Sequence, residues 1–140
     1  MSVLFYCRII VPRHSSKKNE KVARRRGKSM FISKSDRARF AENWLIKKLS
    51  EERKNLDKMI TCDINAKYTF YFPKSLFLTR LNVRSKKLND LSNLVELPSD
   101  VMQKVSIIEN DQQICGLDGS RRLLSPDDNC WLEIELSSIY

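Results

Sequence analysis

Histidine and closely spaced cysteines are scarce in this 140-residue chain. His14 is the single histidine, and no two cysteines form a Cys-x-x-Cys pair. A structural zinc site, which needs four Cys or His ligands at short spacings, is therefore not expected. We expect reduced thiols that pack in the core as small apolar residues, and a solvated His14. The cysteines are Cys7, Cys62, Cys115 and Cys130.

Long apolar runs are also missing. No segment approaches the roughly 20 apolar residues that cross a bilayer, and no basic segment precedes the short apolar stretch at the N-terminus. We therefore predict that the protein has no membrane partner and that it is cytoplasmic.

Acidic residues are comparatively few, since 17 aspartates and glutamates stand against 26 lysines and arginines, which gives a net charge of +9. A positive field of this size favours phosphate-rich partners, with nucleic acid ahead of an anionic membrane surface. We therefore expect a nucleoid-associated location within the cytoplasm. Apolar residues almost vanish over residues 13–29, which we predict to be a mobile basic loop that orders on DNA. Its candidate DNA contacts are Lys17, Lys18, Arg24, Arg25 and Arg26.

Apolar periodicity predicts one α+β domain over residues 1–140, with a mixed or antiparallel sheet and two main helices. We expect the last two strands to form an antiparallel hairpin, and Pro98 to interrupt the second helix. The predicted strands cover residues 3–11, 68–72, 113–124 and 131–136, and the predicted helices cover residues 35–55 and 90–105.

Two acidic motifs stand about twenty residues apart. The first is Asn89-Asp90-Leu91-Ser92-Asn93-Leu94, and the second is Glu109-Asn110-Asp111-Gln112-Gln113-Ile114. Here the chain resembles the RusA family of Holliday junction resolvases. That family shows Asp-Leu-Asp-Asn-Leu at a helix start and Asp-Asp-x-Gln-Val/Ile before a strand, and its carboxylates gather divalent metal. The resemblance extends weakly over nearly the whole chain.

The resemblance implies that Asp90 and Asp111 are catalytic metal ligands. Ser92 replaces the second aspartate of the helical motif, and Asn110 replaces the first of the paired aspartates. Glu96 lies one helical turn beyond Ser92, so its longer side chain is a candidate replacement ligand. A subset of relatives that reads Asp-Leu-Ser-Asn-Leu also carries Asp-Gly-Ser-Arg, as in Asp118-Gly119-Ser120-Arg121 here, which makes Asp118 a further catalytic and metal candidate.

The activity implied by the resemblance is hydrolysis of phosphodiester bonds in branched DNA, with Mg²⁺ as cofactor and Mn²⁺ as a substitute. Family members act as homodimers, which suits symmetric cutting of a four-way junction. Ser92 and Asn93 would not bind the metal themselves, but would hold a water or a carboxylate that does. Further candidate phosphate contacts near the acids are Lys86, Lys87, Arg121 and Arg122.

Each acidic candidate also has a purely structural interpretation. Asp90 is placed to cap a helix, Asp118 precedes a glycine as in a hairpin turn, and Glu96 suits an exposed helical position. The competing functions are a catalytically degenerate protein that binds branched DNA without cutting it, and a small basic RNA-associated protein.

Overall fold

The computed structural model describes residues 2–15, 21–26, 29–34 and 36–140, and for residues 21–26 and 29–34 it describes the backbone alone. Its strands are β1 Val3–Val11, β2 Lys21–Arg26, β3 Ser29–Lys34, β4 Ile64–Phe72, β5 Ile114–Gly116, β6 Arg121–Leu124 and β7 Cys130–Ser138. Its helices are α1 Asp36–Arg53, α2 Lys74–Phe77, α3 Leu91–Leu94 and α4 Glu96–Lys104, and a 3₁₀ turn spans Asp111–Gln113.

Five strands form one mixed sheet. Strand β7 lies between β1 and β4 and is antiparallel to both, while β5 and β6 pair in parallel with successive parts of the other edge of β4. Long strands with apolar residues at every second position, such as Ile64, Ala66 and Tyr68 of β4, bury one face of this sheet. The predicted α+β class with a mixed sheet is confirmed.

Helices α1 and α4 cover the buried face of the sheet. Leu45 and Leu49 of α1 and Val101 and Met102 of α4 are buried with the apolar sheet residues in one core. Burying each such side chain contributes about 1.5–3 kcal/mol relative to exposure. The predicted pattern of a long first helix and an interrupted second helix is therefore confirmed. The interruption falls at Val95, and Pro98 stands in the first turn of α4, where its missing N–H breaks few helical bonds.

The predicted hairpin of the last two strands is wrong. Strands β6 and β7 lie on opposite edges of β4, with β6 parallel to it and β7 antiparallel to it. The physical reason is length, because the nine-residue β7 forms longer ladders beside the nine-residue β1 and β4 than beside the four-residue β6.

The basic segment also differs from the expected loop. Strand β2, which contains Arg24, Arg25 and Arg26, pairs antiparallel with β3 in a separate two-stranded sheet. Backbone hydrogen bonds build such a ladder, so a strand poor in apolar residues pairs with one that contains Met30, Phe31 and Ile32. Lys17 and Lys18 lie outside the described residues.

Two expectations about single residues need correction. Cys7 and Cys130 are buried as expected, but Cys62 and Cys115 are exposed. Cys62 lies in the loop before β4, and Cys115 occupies the exposed position of the short edge strand β5. His14 is not solvated: its side chain is 8% exposed. The ring lies edge-on to Phe72, and its Nε2–H donates to the carbonyl oxygen of Tyr71 at 2.8 Å.

Burial lowers the pKa of His14 from 6.5 to about 4, although hydrogen bonding to backbone carbonyls opposes the shift. The imidazole is therefore neutral in the folded protein at pH 7, whereas the unfolded chain takes up a proton near pH 6.5. We predict that His14 reduces the free energy of unfolding as the pH falls from 6.5 towards 4, by about 2–3 kcal/mol in total. Urea unfolding at pH 7.5 and pH 4.5 measures this loss.

The matched variant is His14→Gln, which keeps an N–H donor and removes the titration. Its loss of stability between the two pH values should be smaller than that of the natural chain by the amount stated. Equal losses in the two proteins would show that the pKa of His14 is the same in the folded and the unfolded chain.

Candidate active site

The first acidic motif begins at the start of α3. Leu91 and Leu94 pack on the core, whereas Asp90 and Ser92, on either side of Leu91 in the sequence, are exposed. The backbone carbonyl of Asp90 accepts the N–H groups of Asn93 and Leu94 at 3.0 and 3.1 Å. Within the described part of the chain, the Asp90 carboxylate itself accepts no hydrogen bond from the helix. Helix capping therefore does not occupy this side chain.

The segment before Asp90 is attached to the sheet. Arg122 of β6 donates from Nη1 to the carbonyl oxygen of Asn89 at 2.9 Å, and Leu88 packs on the core. Arg122, predicted as a phosphate contact, is half-buried and supports the backbone that leads into Asp90.

The second acidic motif is organised by the amide of Gln113, whose side chain is buried. Its Oε1 accepts the backbone N–H groups of Glu109 and Asn110, both at 2.8 Å. Its Nε2 donates to the carbonyl oxygens of Ile60 and Cys62 at 3.0 and 2.9 Å. One side chain thus ties the backbone just before Asp111 to the segment just before β4.

Further hydrogen bonds orient Asp111. Its N–H donates to Oε1 of Gln103 at 3.0 Å, and Oδ1 of Asn110 accepts the N–H of Gln112 at 2.8 Å. Asn110, where the family pattern has an aspartate, therefore caps the 3₁₀ turn with its amide oxygen. A carboxylate at this position could accept the same bond, so capping does not itself require asparagine.

An acidic cleft of about 400 Å³ lies between α4 and the 3₁₀ turn. Its lining includes Glu96, Ser99, Asp100 and Asp111, together with three apolar residues. The structure thus brings the predicted residues Glu96 and Asp111 to one cleft. The donors are carboxylate and hydroxyl oxygens, the hard ligands that Mg²⁺ prefers, so the chemistry of the cleft fits that ion.

Asp100 lines the acidic cleft but was not among the residues that the sequence motifs predicted for the site. It follows Glu96 by four positions, and residues four apart on a helix share a face, so this spacing could have revealed it. Lys104 Nζ contacts Asp100 Oδ2 at 3.1 Å and Glu42 Oε1 at 2.9 Å. Hydrogen bonds to these two carboxylates raise the pKa of Lys104. The lysine therefore stays charged and fixes Asp100 against the buried Glu42 of α1.

A buried hydroxyl pair supports the floor of the cleft. The hydroxyls of Tyr68 and Ser99 are 2.7 Å apart, and Ser99 Oγ donates to the carbonyl oxygen of Val95 at 2.7 Å. Because Ser99 uses its proton on Val95, the hydrogen between the two hydroxyls comes from Tyr68. This bond joins α4 to the central strand at the position where α4 faces the cleft.

Asp90 and Asp118 are not among the residues that line this cleft. Asp118 is exposed beside Gly119, whose φ of 86° marks a turn, and its N–H donates to Oδ1 of Asn65 at 2.9 Å. In the described ranges, no three His, Cys, Asp or Glu side chains form a group able to hold a metal ion. The complete ligand set of Asp90, Asp111, Asp118 and Glu96 stays a prediction.

A mixed-sheet α+β domain with an acidic, oxygen-lined cleft and a large excess of positive charge has the features of a nucleic-acid hydrolase. The family model described as Endodeoxyribonuclease RusA matches residues 12–135. The chain therefore belongs to the RusA endodeoxyribonuclease family, whose members are DNA-binding hydrolases that resolve Holliday junctions in recombination. No curated protein matches the chain. No helix in the described residues is long and apolar enough to span a membrane.

Replacing Gln113 by Ala should destabilise the protein by about 2–4 kcal/mol, because four backbone groups lose a hydrogen bond at once. Urea unfolding monitored by circular dichroism measures the change. The matched control is Gln112→Ala at the neighbouring exposed position, which should stay within about 0.5 kcal/mol of the natural chain. Similar effects at the two positions would contradict the role of Gln113.

Proposed function

We propose that this chain is a Mg²⁺-dependent endonuclease that resolves Holliday junctions or related branched DNA by hydrolysing phosphodiester bonds. The observation that carries the proposal is the acidic cleft, which is lined by Asp111 of the second motif and by Glu96, two residues beyond the first motif. The family match covers both motifs. Branched DNA is the substrate class of the family, and the net charge of +9 suits a polyanionic substrate.

Asp90 and Asp111 are the proposed catalytic ligands. Both side chains are exposed at the beginning of short helical segments whose backbones are held by Arg122 and Gln113. Mg²⁺, when bound, would activate a water and stabilise the leaving oxyanion. Rigid backbone attachment of each ligand limits the reorganisation needed when ion and substrate arrive.

Glu96 is the proposed third ligand, in the role that the family gives to an aspartate at the position of Ser92. It lines the same cleft as Asp111, whereas Asp118 lies in an exposed turn beside Asn65. Asp118 is therefore the less favoured of the two candidates. Ser92 and Asn93, on the exposed and half-buried sides of α3, would orient a water or a neighbouring carboxylate.

Cations near the acids would counter the repulsion between the DNA and the carboxylates. Lys86 and Arg121 are exposed, and Arg24, Arg25 and Arg26 belong to β2. A homodimer would place two such sites about a two-fold axis, as symmetric cleavage of a four-way junction requires.

The variants Asp90→Asn and Asp111→Asn should each lower Mg²⁺-dependent nicking by more than about a hundredfold, beyond the 10–100-fold effect typical of groups outside the ligand shell. The assay uses a labelled synthetic four-way junction and separates the products on a denaturing gel. Asp57→Asn, a change of an exposed aspartate in the loop before β4, serves as the matched control and should keep full activity.

Each other outcome has a definite meaning. Tight binding of the junction by the natural chain without nicking in Mg²⁺ or Mn²⁺ would favour the degenerate DNA-binding protein. The presence of Ser92 and Asn110 where the family pattern has aspartates is the sequence feature behind that alternative. A preference for structured RNA over branched DNA would favour the RNA-associated function. Full activity of either aspartate variant would remove that residue from the catalytic set.

Replacing Ser92 by Asp restores the family carboxylate and should tighten Mn²⁺ binding if this position faces the ion. Isothermal titration with Mn²⁺ measures the change, for which we expect roughly a tenfold decrease in Kd. Ser50→Asp, on the exposed surface at the C-terminal part of α1, adds the same charge away from the site and should leave Kd unchanged. An equal gain in both variants would indicate nonspecific attraction.

A further inference from the structure

A second cleft, of about 290 Å³, is lined in part by the residues that lead into Asp90. Its lining includes the cations Arg13, Arg37 and Lys87 and the hydroxyls of Ser75 and Ser85. Among the described residues that line it, none is acidic. The charge of this cleft is thus opposite to that of the acidic cleft, and we refer to it as the basic cleft.

The three cations of the basic cleft come from distant parts of the sequence. Arg13 follows β1, Arg37 is the second residue of α1, and Lys87 lies in the segment between α2 and α3. Arg37 and Lys87 are exposed, and together with the hydroxyls of Ser75 and Ser85 they offer an anion several hydrogen-bond donors in one cleft. A phosphate group is the anion that a DNA-acting family meets.

The floor of the basic cleft brings no anion of its own. It includes Phe72 and the buried His14, which is neutral at pH 7 because burial lowers its pKa and whose Nε2–H is held by the carbonyl oxygen of Tyr71. Cys130 also lines the cleft, and burial raises the pKa of its thiol, so that it stays protonated. The interior of the cleft is therefore neutral and its charge is carried by the cations.

Backbone hydrogen bonds hold the rim that carries Lys87. The N–H of Ser85 donates to the carbonyl oxygen of Phe77 at 2.8 Å, and the N–H of Lys87 donates to Ser85 Oγ at 3.2 Å. Asn89, which also lines the cleft, is held by Arg122 at its carbonyl oxygen. The rim is thus attached at both ends and leads directly into Asp90.

Along the chain, one short helix connects the residues that line the two clefts. Asn89 lines the basic cleft and Val95 lines the acidic cleft, with Asp90 and the four residues of α3 between them in sequence. A DNA strand bound at the basic cleft would lie next to the segment that leads into Asp90.

We propose that the basic cleft seats a backbone phosphate of the DNA strand beside the Asp90 segment, with Arg37 and Lys87 as its principal contacts. The proposal rests on the proposed function, since it assumes that the bound DNA strand is the substrate. The role of the cleft would be to bind the strand without contact to the reacting atoms.

The test compares the double variant Arg37→Gln/Lys87→Gln with a charge-matched control, Arg39→Gln/Lys58→Gln, whose residues are exposed and do not line the basic cleft. Binding to a labelled four-way junction is measured in EDTA, which prevents cleavage, at several salt concentrations from 50 to 200 mM. The slope of log K against log salt should fall by about 2 in the test variant, and affinity should fall at least about tenfold. The control should change affinity less than about threefold.

Cleavage in Mg²⁺ completes the test. The test variant should raise KM and keep kcat within about threefold, because its residues bind the strand outside the reacting atoms. Equal losses of slope and affinity in the two double variants would overturn the proposal in favour of a diffuse positive field. If the natural chain neither binds nor cuts the junction, the proposed function fails; if it cuts and the test variant keeps its slope, only the basic cleft fails. Unchanged thermal unfolding of both variants excludes misfolding.

Discussion

The parallel pairing of β5 and β6 with β4 is the constraint on which both clefts depend. Strand β5 joins the start of β4 directly after the 3₁₀ turn, and β6 joins its end. The first pairing fixes where Asp111 lies, and the second places Arg122 where it holds Asn89 before Asp90. Two acidic motifs that are twenty residues apart are therefore located by one strand.

Buried polar groups make these attachments specific. Gln113 satisfies four backbone groups, and Tyr68 reaches Ser99 from the central strand. Inside a low-dielectric core, a polar group without a partner is costly, so such networks favour one arrangement over close alternatives. In this protein the networks attach α4 and the 3₁₀ turn, the two elements that supply Glu96 and Asp111 to the acidic cleft.

Two clefts of the protein carry opposite charges. Carboxylates line the cleft beside α4 and the 3₁₀ turn, while Arg13, Arg37 and Lys87 line the other. Lys104 joins Asp100 to Glu42 and thereby moderates the repulsion within the acidic group. An excess of positive charge over the whole chain attracts a polyanion. The local separation of charges is what assigns the proposed roles, with the strand bound at the basic cleft and a divalent cation at the acidic cleft.

The sequence by itself determined much of this protein. Alternation of apolar residues located β1, β4 and β7, the spacing of Ala38, Ala41, Leu45 and Leu49 located α1, and the two acidic motifs were sufficient to indicate the family. These features are local, because side-chain period and short motifs depend on neighbours along the chain. Only the tertiary structure decided that β7 lies between β1 and β4, that β2 is a strand, that His14 is buried, and that Asp100 and Arg37 belong to clefts. Each of these depends on contacts between residues far apart in sequence, where ladder length and burial outweigh local preference.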